Sequence, residues 1–107
     1  MTARLDLTPA HAAIVRAILA DHLPADVKVS VFGSRAKGTA RPLSDLDLAL
    51  EAPEPIPASV MIDLAEAFDE SDLPWKVDLI DWTVTSARFR AMVAGDLVEF
   101  VATARAA

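Results

Sequence analysis

The sequence predicts a small α+β (α/β) domain, a mixed β-sheet with helices packed on one face. Stretches with an apolar residue at every second position follow or precede stretches with helical spacing. The order is helix, strand, strand, helix, strand, helix, with a short fourth strand at the end. The chain has 107 residues, 53% of them apolar, and a mean hydropathy of +0.34. That is material for a single domain, 1–107, with a packed core, and it excludes disorder. A chain of this size buries roughly 65% of the surface exposed when unfolded, enough to fold without staples.

The first helix is expected over about 8–23, with Thr8 as N-cap and Pro9 at the first helical position. Ile14, Val15, Ile18 and Leu19 form its apolar stripe, and Pro24 closes it. Val27, Val29 and Val31 alternate with Lys28 and Ser30 as a strand, which Gly33 and Ser34 break. Leu46, Leu48 and Leu50 define a second strand. Pro53, Pro55 and Pro57 make the next stretch an extended loop. A helix over about 58–70 buries Val60, Met61, Leu64, Ala65 and Phe68. A third strand, about 75–81, places Val77 and Leu79 opposite Lys76, Asp78 and Ile80. Thr85 or Ser86 caps a last helix carrying Phe89, Met92 and Val93, with Gly95 as its C′ residue. Residues 97–101 read as a final short strand in preference to a continued helix.

Composition narrows the function. No cysteine is present, which removes disulfides, thiolate metal sites and a cysteine nucleophile. A net charge of −6 and a pI near 4.7 argue against direct nucleic-acid or anionic-membrane binding, which needs a positive field. No apolar run approaches the roughly 20 residues of a membrane span, and no signal peptide is visible, so a cytoplasmic protein is expected. The high apolar fraction also suggests burial of some surface against a partner.

Two of the three glycines flank Gly33-Ser34-Arg35-Ala36-Lys37-Gly38. Glycine at a strand end before a short helix lets backbone N–H groups approach an anion closely. Ser34 adds a hydroxyl, and Arg35, Lys37 and Arg41 bring three of the ten cations within seven residues. Read alone, this loop fits a phosphate site and a charged surface turn equally well, and its spacing is neither a Walker A loop nor a dinucleotide fingerprint. Eleven residues after Ser34 stand Asp45 and Asp47, whose side chains share one face of a strand. Adjacent carboxylates repel unless cations lie between them, and hard divalent ions with phosphate oxygens are the natural solution. Among eleven aspartates roughly one such dyad arises by chance, so its conjunction with Gly-Ser carries the signal. Asp78 supplies a third carboxylate on the face opposite its strand's apolar residues. Asp81 has the other parity and reads as a turn or cap residue.

The run Gly33-Ser34-Arg35-Ala36-Lys37-Gly38-Thr39-Ala40-Arg41-Pro42-Leu43-Ser44-Asp45-Leu46-Asp47-Leu48 resembles the signature of the polymerase-beta-like nucleotidyltransferase superfamily. The short length is similar to its minimal branch, the MNT family, and the likeness extends from about Val27 through Phe100. The resemblance implies the polymerase-beta-like nucleotidyltransferase fold, with Asp45 and Asp47 on one strand and Asp78 on its neighbour. It further implies ATP as substrate and two Mg²⁺ ions per active site, with Mn²⁺ an open alternative. Asp45, Asp47 and Asp78 would be catalytic and hold the metal, Asp78 helping to deprotonate the acceptor hydroxyl. Gly33 and Ser34 would grip the β- and γ-phosphates, with Arg35 and Lys37 as further phosphate-binding candidates; Arg41 fits solvated surface at least as well.

Larger members append a domain for the acceptor, and this chain has no room for one. Either a second subunit, in a homo-oligomer or a complex, supplies that surface, or the acceptor is itself a protein. The MNT resemblance implies a helical HEPN-domain toxin as partner, silenced by transfer of AMP to a tyrosine, with this chain as the antitoxin. The chain contains no tyrosine of its own. The alternatives are a non-catalytic antitoxin with a vestigial nucleotide site and a small-molecule, aminoglycoside-type nucleotidyltransferase. His11 and His22 lack metal-ligand spacing, Trp75 and Trp82 read as packing residues, and Met61 and Met92 read as core fillers.

Overall fold

A computed structural model describes residues 7–100. Helix α1 spans Pro9–His22, and the Thr8 hydroxyl accepts the N–H of His11 at 3.1 Å, as an N-cap should. Strand β1 (Lys28–Phe32) leads through Gly33 into a single helical turn, α2 (Ser34–Lys37). Strand β2 (Leu46–Glu51), helix α3 (Ala58–Asp69) and strand β3 (Val77–Asp81) follow. After a 3₁₀ turn, Trp82–Val84, come helix α4 (Ala87–Val93), a second 3₁₀ turn and strand β4 (Val98–Phe100). Ser86 is the α4 cap, its hydroxyl accepting from the N–H of Phe89 at 3.1 Å.

The sheet is four-stranded and mixed, in the order β3-β2-β1-β4. β1 runs antiparallel to β2 and β4, while β2 and β3 are parallel. Parallel neighbours need a crossover, and α3 supplies it. Val29 and Val31 of β1 and Leu46, Leu48 and Leu50 of β2 point to one face. They pack there against Val15 and Leu19 of α1 and Leu64 and Phe68 of α3. Leu46, Leu48, Leu50 and Leu64 are fully buried, each worth about 1.5–3 kcal/mol of transfer free energy. This layer is the main core, and it fixes the register that the other face inherits.

That other face is not bare. Helices were expected on one face; the long ones do lie there, but Phe32, Ala49 and Trp82 form a second cluster on the opposite side. Phe89 and Val93 of α4, with Ile80 and Leu97, pack against it. Three details of the last third differ from expectation. Met92 is 70% exposed and fills no core, because α4 turns only Phe89 and Val93 toward the sheet. Gly95 is the C′ residue as expected, directly after the Ala94 C-cap of α4, but it lies in the 3₁₀ turn Ala94–Asp96 without the positive φ of Gly33 and Gly38. Leu97 precedes β4 and packs in the second cluster, while Val101 lies outside the described residues. Met61, His11 and His22 are partly buried, and the His22 imidazole pairs with the Ile18 carbonyl. Among the described residues no helix is long and apolar enough to cross a membrane.

Candidate active site

The site forms where β1 ends and β2 and β3 begin. Pairing sets Phe32 beside Asp47 and Asp47 beside Asp78. All three therefore share the face away from the main core, at its uncovered end. Asp45, two residues before Asp47, is exposed at the entry to β2, and Asp78 is exposed on β3. Asp47 is half-buried between them. Its carboxyl is pushed up to about 6, first by burial, then by the charges of Asp78 and Asp45 and a hydrogen bond with Asp78. Like charges are thus held together by the sheet register against their own repulsion.

Gly33 meets this cluster directly. Its φ of 76° and ψ of −158° lie in a region only glycine adopts without strain. A Cβ there would fall on Oδ2 of Asp47 and lie 3.2 Å from its Cγ. The missing side chain is therefore what lets the turn close against the carboxylate. The chain then enters α2 at once, with the Gly33 carbonyl accepting the N–H groups of Ala36 and Lys37 at 3.1 and 3.2 Å. The N–H groups at the start of a helical turn have no intrahelical partner, so they are available to an anion. A glycine turn opening a helical turn and three carboxylates stand side by side.

A model of the family described as nucleotidyltransferase domain matches residues 13–103. A probable protein adenylyltransferase, MntA, of Haemophilus influenzae is 50% identical over 91 residues, covering 85% of this chain and 79% of that protein. The chain belongs to the nucleotidyltransferase domain family. Among solved structures, a toxin–antitoxin with AMP-PNP is similar with a TM-score of 0.70 and 26% identity, over 83% of this chain and 71% of its own. A tri-AMPylated Shewanella oneidensis HEPN toxin in complex with an MNT antitoxin matches in fold, with a TM-score of 0.63 at 21% identity. That match covers 83% of this chain and 67% of the other.

In this nucleotidyltransferase the cations near the turn do different things. Arg35, a phosphate candidate by sequence, is only 5% exposed. Its Nε and Nη2 donate to the Ser44 carbonyl at 3.1 and 2.9 Å, and Nη2 also reaches the Pro42 carbonyl at 3.2 Å. The guanidinium carbon lies over the Trp75 ring, 4.4 Å from its centroid, a cation–π contact. Lys37 is exposed and reaches Asp96 at 3.8 Å, a surface pair worth little in stability. Arg41 is exposed. Asp81 caps the first 3₁₀ turn through Thr83 N–H at 3.0 Å, and it anchors the proline loop through Ile56 N–H at 2.8 Å.

Ser44 has a part that its sequence reading left unassigned. Its hydroxyl accepts the Arg41 N–H at 2.8 Å, and its own N–H returns to the Arg41 carbonyl at 3.0 Å, closing the turn before Asp45. Its position directly before the Asp-x-Asp pair was the available signal. Among the described residues no three His, Cys, Asp or Glu side chains stand ready-made to enclose an ion. The donors nonetheless suit a hard divalent cation that brings phosphate oxygens as its remaining ligands. They are carboxylates only, and Asp47 is short of positive charge in its surroundings.

Proposed function

We propose that this nucleotidyltransferase moves AMP from ATP to a hydroxyl acceptor, a tyrosine of a helical HEPN-domain toxin, and so acts as the antitoxin of the pair. One observation carries the chemistry: the Asp47 carboxylate abuts the Gly33 turn while Asp45 and Asp78 flank it. The likeness to a probable protein adenylyltransferase and to a toxin–antitoxin holding AMP-PNP supports donor and partner. A cytoplasmic location goes with ATP as donor.

The Gly33–Ser34 turn would bind the β- and γ-phosphates through backbone N–H groups and the Ser34 hydroxyl. Asp45, Asp47 and Asp78 would hold Mg²⁺, which supplies charge neutralisation at the phosphates and lowers the pKa of a bound hydroxyl. The acceptor oxygen attacks the α-phosphorus, the bond to the bridging β-phosphate oxygen breaks, and pyrophosphate leaves. Asp78, exposed on β3, would take the hydroxyl proton. Arg35 contributes through the Ser44 turn, and Lys37 lies at the rim.

Purified chain, Mg²⁺ and α-labelled ATP, with the product of the neighbouring gene as acceptor if that gene encodes a helical HEPN-like protein, test the proposal. Label should appear on the neighbour with wild type and not with the Asp45→Asn, Asp47→Asn double variant. A stable complex without label would instead make the chain a binding antitoxin.

A further inference from the structure

We propose that Arg35 is a positioning residue that holds the phosphate turn and both carboxylate strands in one geometry. The stretch 39–45 connects α2 to β2 and forms no ladder with the sheet. Its backbone therefore needs partners elsewhere. Thr39 N–H bonds the Ser34 carbonyl at 3.1 Å, and the Arg41–Ser44 turn closes on itself. The carbonyls of Arg41, Pro42 and Ser44 all accept from Arg35, the last through two nitrogens. Asp45 thus stands between Ser44, gripped by Arg35, and Leu46, whose N–H bonds the Lys76 carbonyl at 2.9 Å.

The same guanidinium reaches the other strand. Its Cζ lies over the ring of Trp75, which directly precedes Lys76 and stands three residues before Asp78. Trp75 is 8% exposed and meets His11 of α1 in an edge-to-face ring contact, centroids 5.5 Å apart. Arg35 itself rides on the turn that begins with Gly33 and Ser34. One side chain therefore joins the phosphate turn, the entry to β2 and the entry to β3. Only a planar fork with several donors can do this, since a lysine ammonium neither stacks flat nor donates twice to one carbonyl.

The inference rests on the nucleotidyl-transfer chemistry proposed above, and its experiment separates the two. Arg35→Lys keeps the charge and loses the fork. Amide hydrogen exchange of the nucleotide-free protein should speed about tenfold or more over 39–46, with β1 and β4 unchanged. In the transfer assay kcat should fall about a hundredfold while KM for ATP stays within about twofold, as misplacement without loss of a phosphate ligand requires. Trp75→Leu should reproduce both effects in milder form and Trp75→Phe should restore them, which decides the matter if Arg35→Lys does not fold. Uniform acceleration of exchange, unchanged exchange over 39–46, or a loss confined to KM for ATP would each overturn the proposal. If wild type transfers no AMP, the functional proposal fails while the exchange pattern still judges the clamp.

Discussion

Replacing Asp47 by Asn should make the metal-free protein more stable while abolishing transfer. In the unfolded chain this carboxyl has its ordinary value of 3.8, and in the fold it is pushed up to about 6. Between those values the folded chain holds more protons than the unfolded one, so stability falls as pH rises through the window. Below it Asp47 is protonated in both states and adds no penalty; above it the full cost of an ionised, half-buried carboxylate is present. A shift of that size corresponds to a ceiling of roughly 3 kcal/mol at 1.36 kcal/mol per unit. Solvent screening at a half-exposed group reduces this to about 1 kcal/mol.

Urea unfolding in EDTA at pH 4 and pH 7.5 measures the difference between variant and wild type directly. The Asn amide can still donate to the Asp78 carboxylate and occupies nearly the same volume against Gly33. The variant should gain about 1 kcal/mol at pH 7.5, or about 4–8 °C in Tm, and little at pH 4. A variant less stable than wild type at pH 7.5, or an equal gain at both pH values, would refute the reasoning. The cluster would then not be under electrostatic strain.

Gly33→Ala meets both a glycine-only backbone conformation and the Asp47 carboxylate. It should cost about 1–3 kcal/mol in chemical denaturation and remove transfer activity. Leu48 is fully buried at the centre of the sheet, so Leu48→Ala should cost about 2–5 kcal/mol, enough to leave much of the protein unfolded at 37 °C by circular dichroism. Asp81→Ala frees the N–H groups of Ile56 and Thr83. It should lower stability by about 2 kcal/mol with KM for ATP unchanged, since the residue faces away from the cluster. Lys37→Ala, on an exposed pair, should move stability by less than about 0.5 kcal/mol in the same denaturation assay.

Where a side chain's direction follows from strand parity, the sequence was sufficient. Alternation in 46–51 sends the leucines to the core and Asp47 to the other face, and the parity of β3 separates Asp78 from Asp81. The parallel register then sets Asp78 beside Asp47, and the cap role of Asp81 follows from its position at the strand end. Thr8 and Ser86 were readable as caps for a similar reason, because hydroxyl-to-N3 bonding is local. Short elements carry no such information. One turn of helix, as in α2, has no apolar stripe to say that Arg35 turns inward while Lys37 turns out. The seven residues of α4 cannot distinguish a core Met92 from an exposed one, since their burial depends on where Trp82 completes the second cluster.

Arg35 also explains why composition misleads at this site. Three cations near a glycine turn invite one interpretation, that of charge for phosphates. Yet what the local chain most needs is a partner for the Pro42 and Ser44 carbonyls, which no strand reaches. A buried guanidinium meets that need and keeps its charge within the same turn, so structural and electrostatic roles need not compete. The carboxylates show the converse. Their mutual repulsion is held by the register of β2 and β3, and it is relieved only when positive charge arrives. A cluster that weakens the empty fold would in turn favour a cation bound there, because positive charge offsets the repulsion from Asp78 and Asp45, while the cost of burying the Asp47 carboxylate is set by the fold.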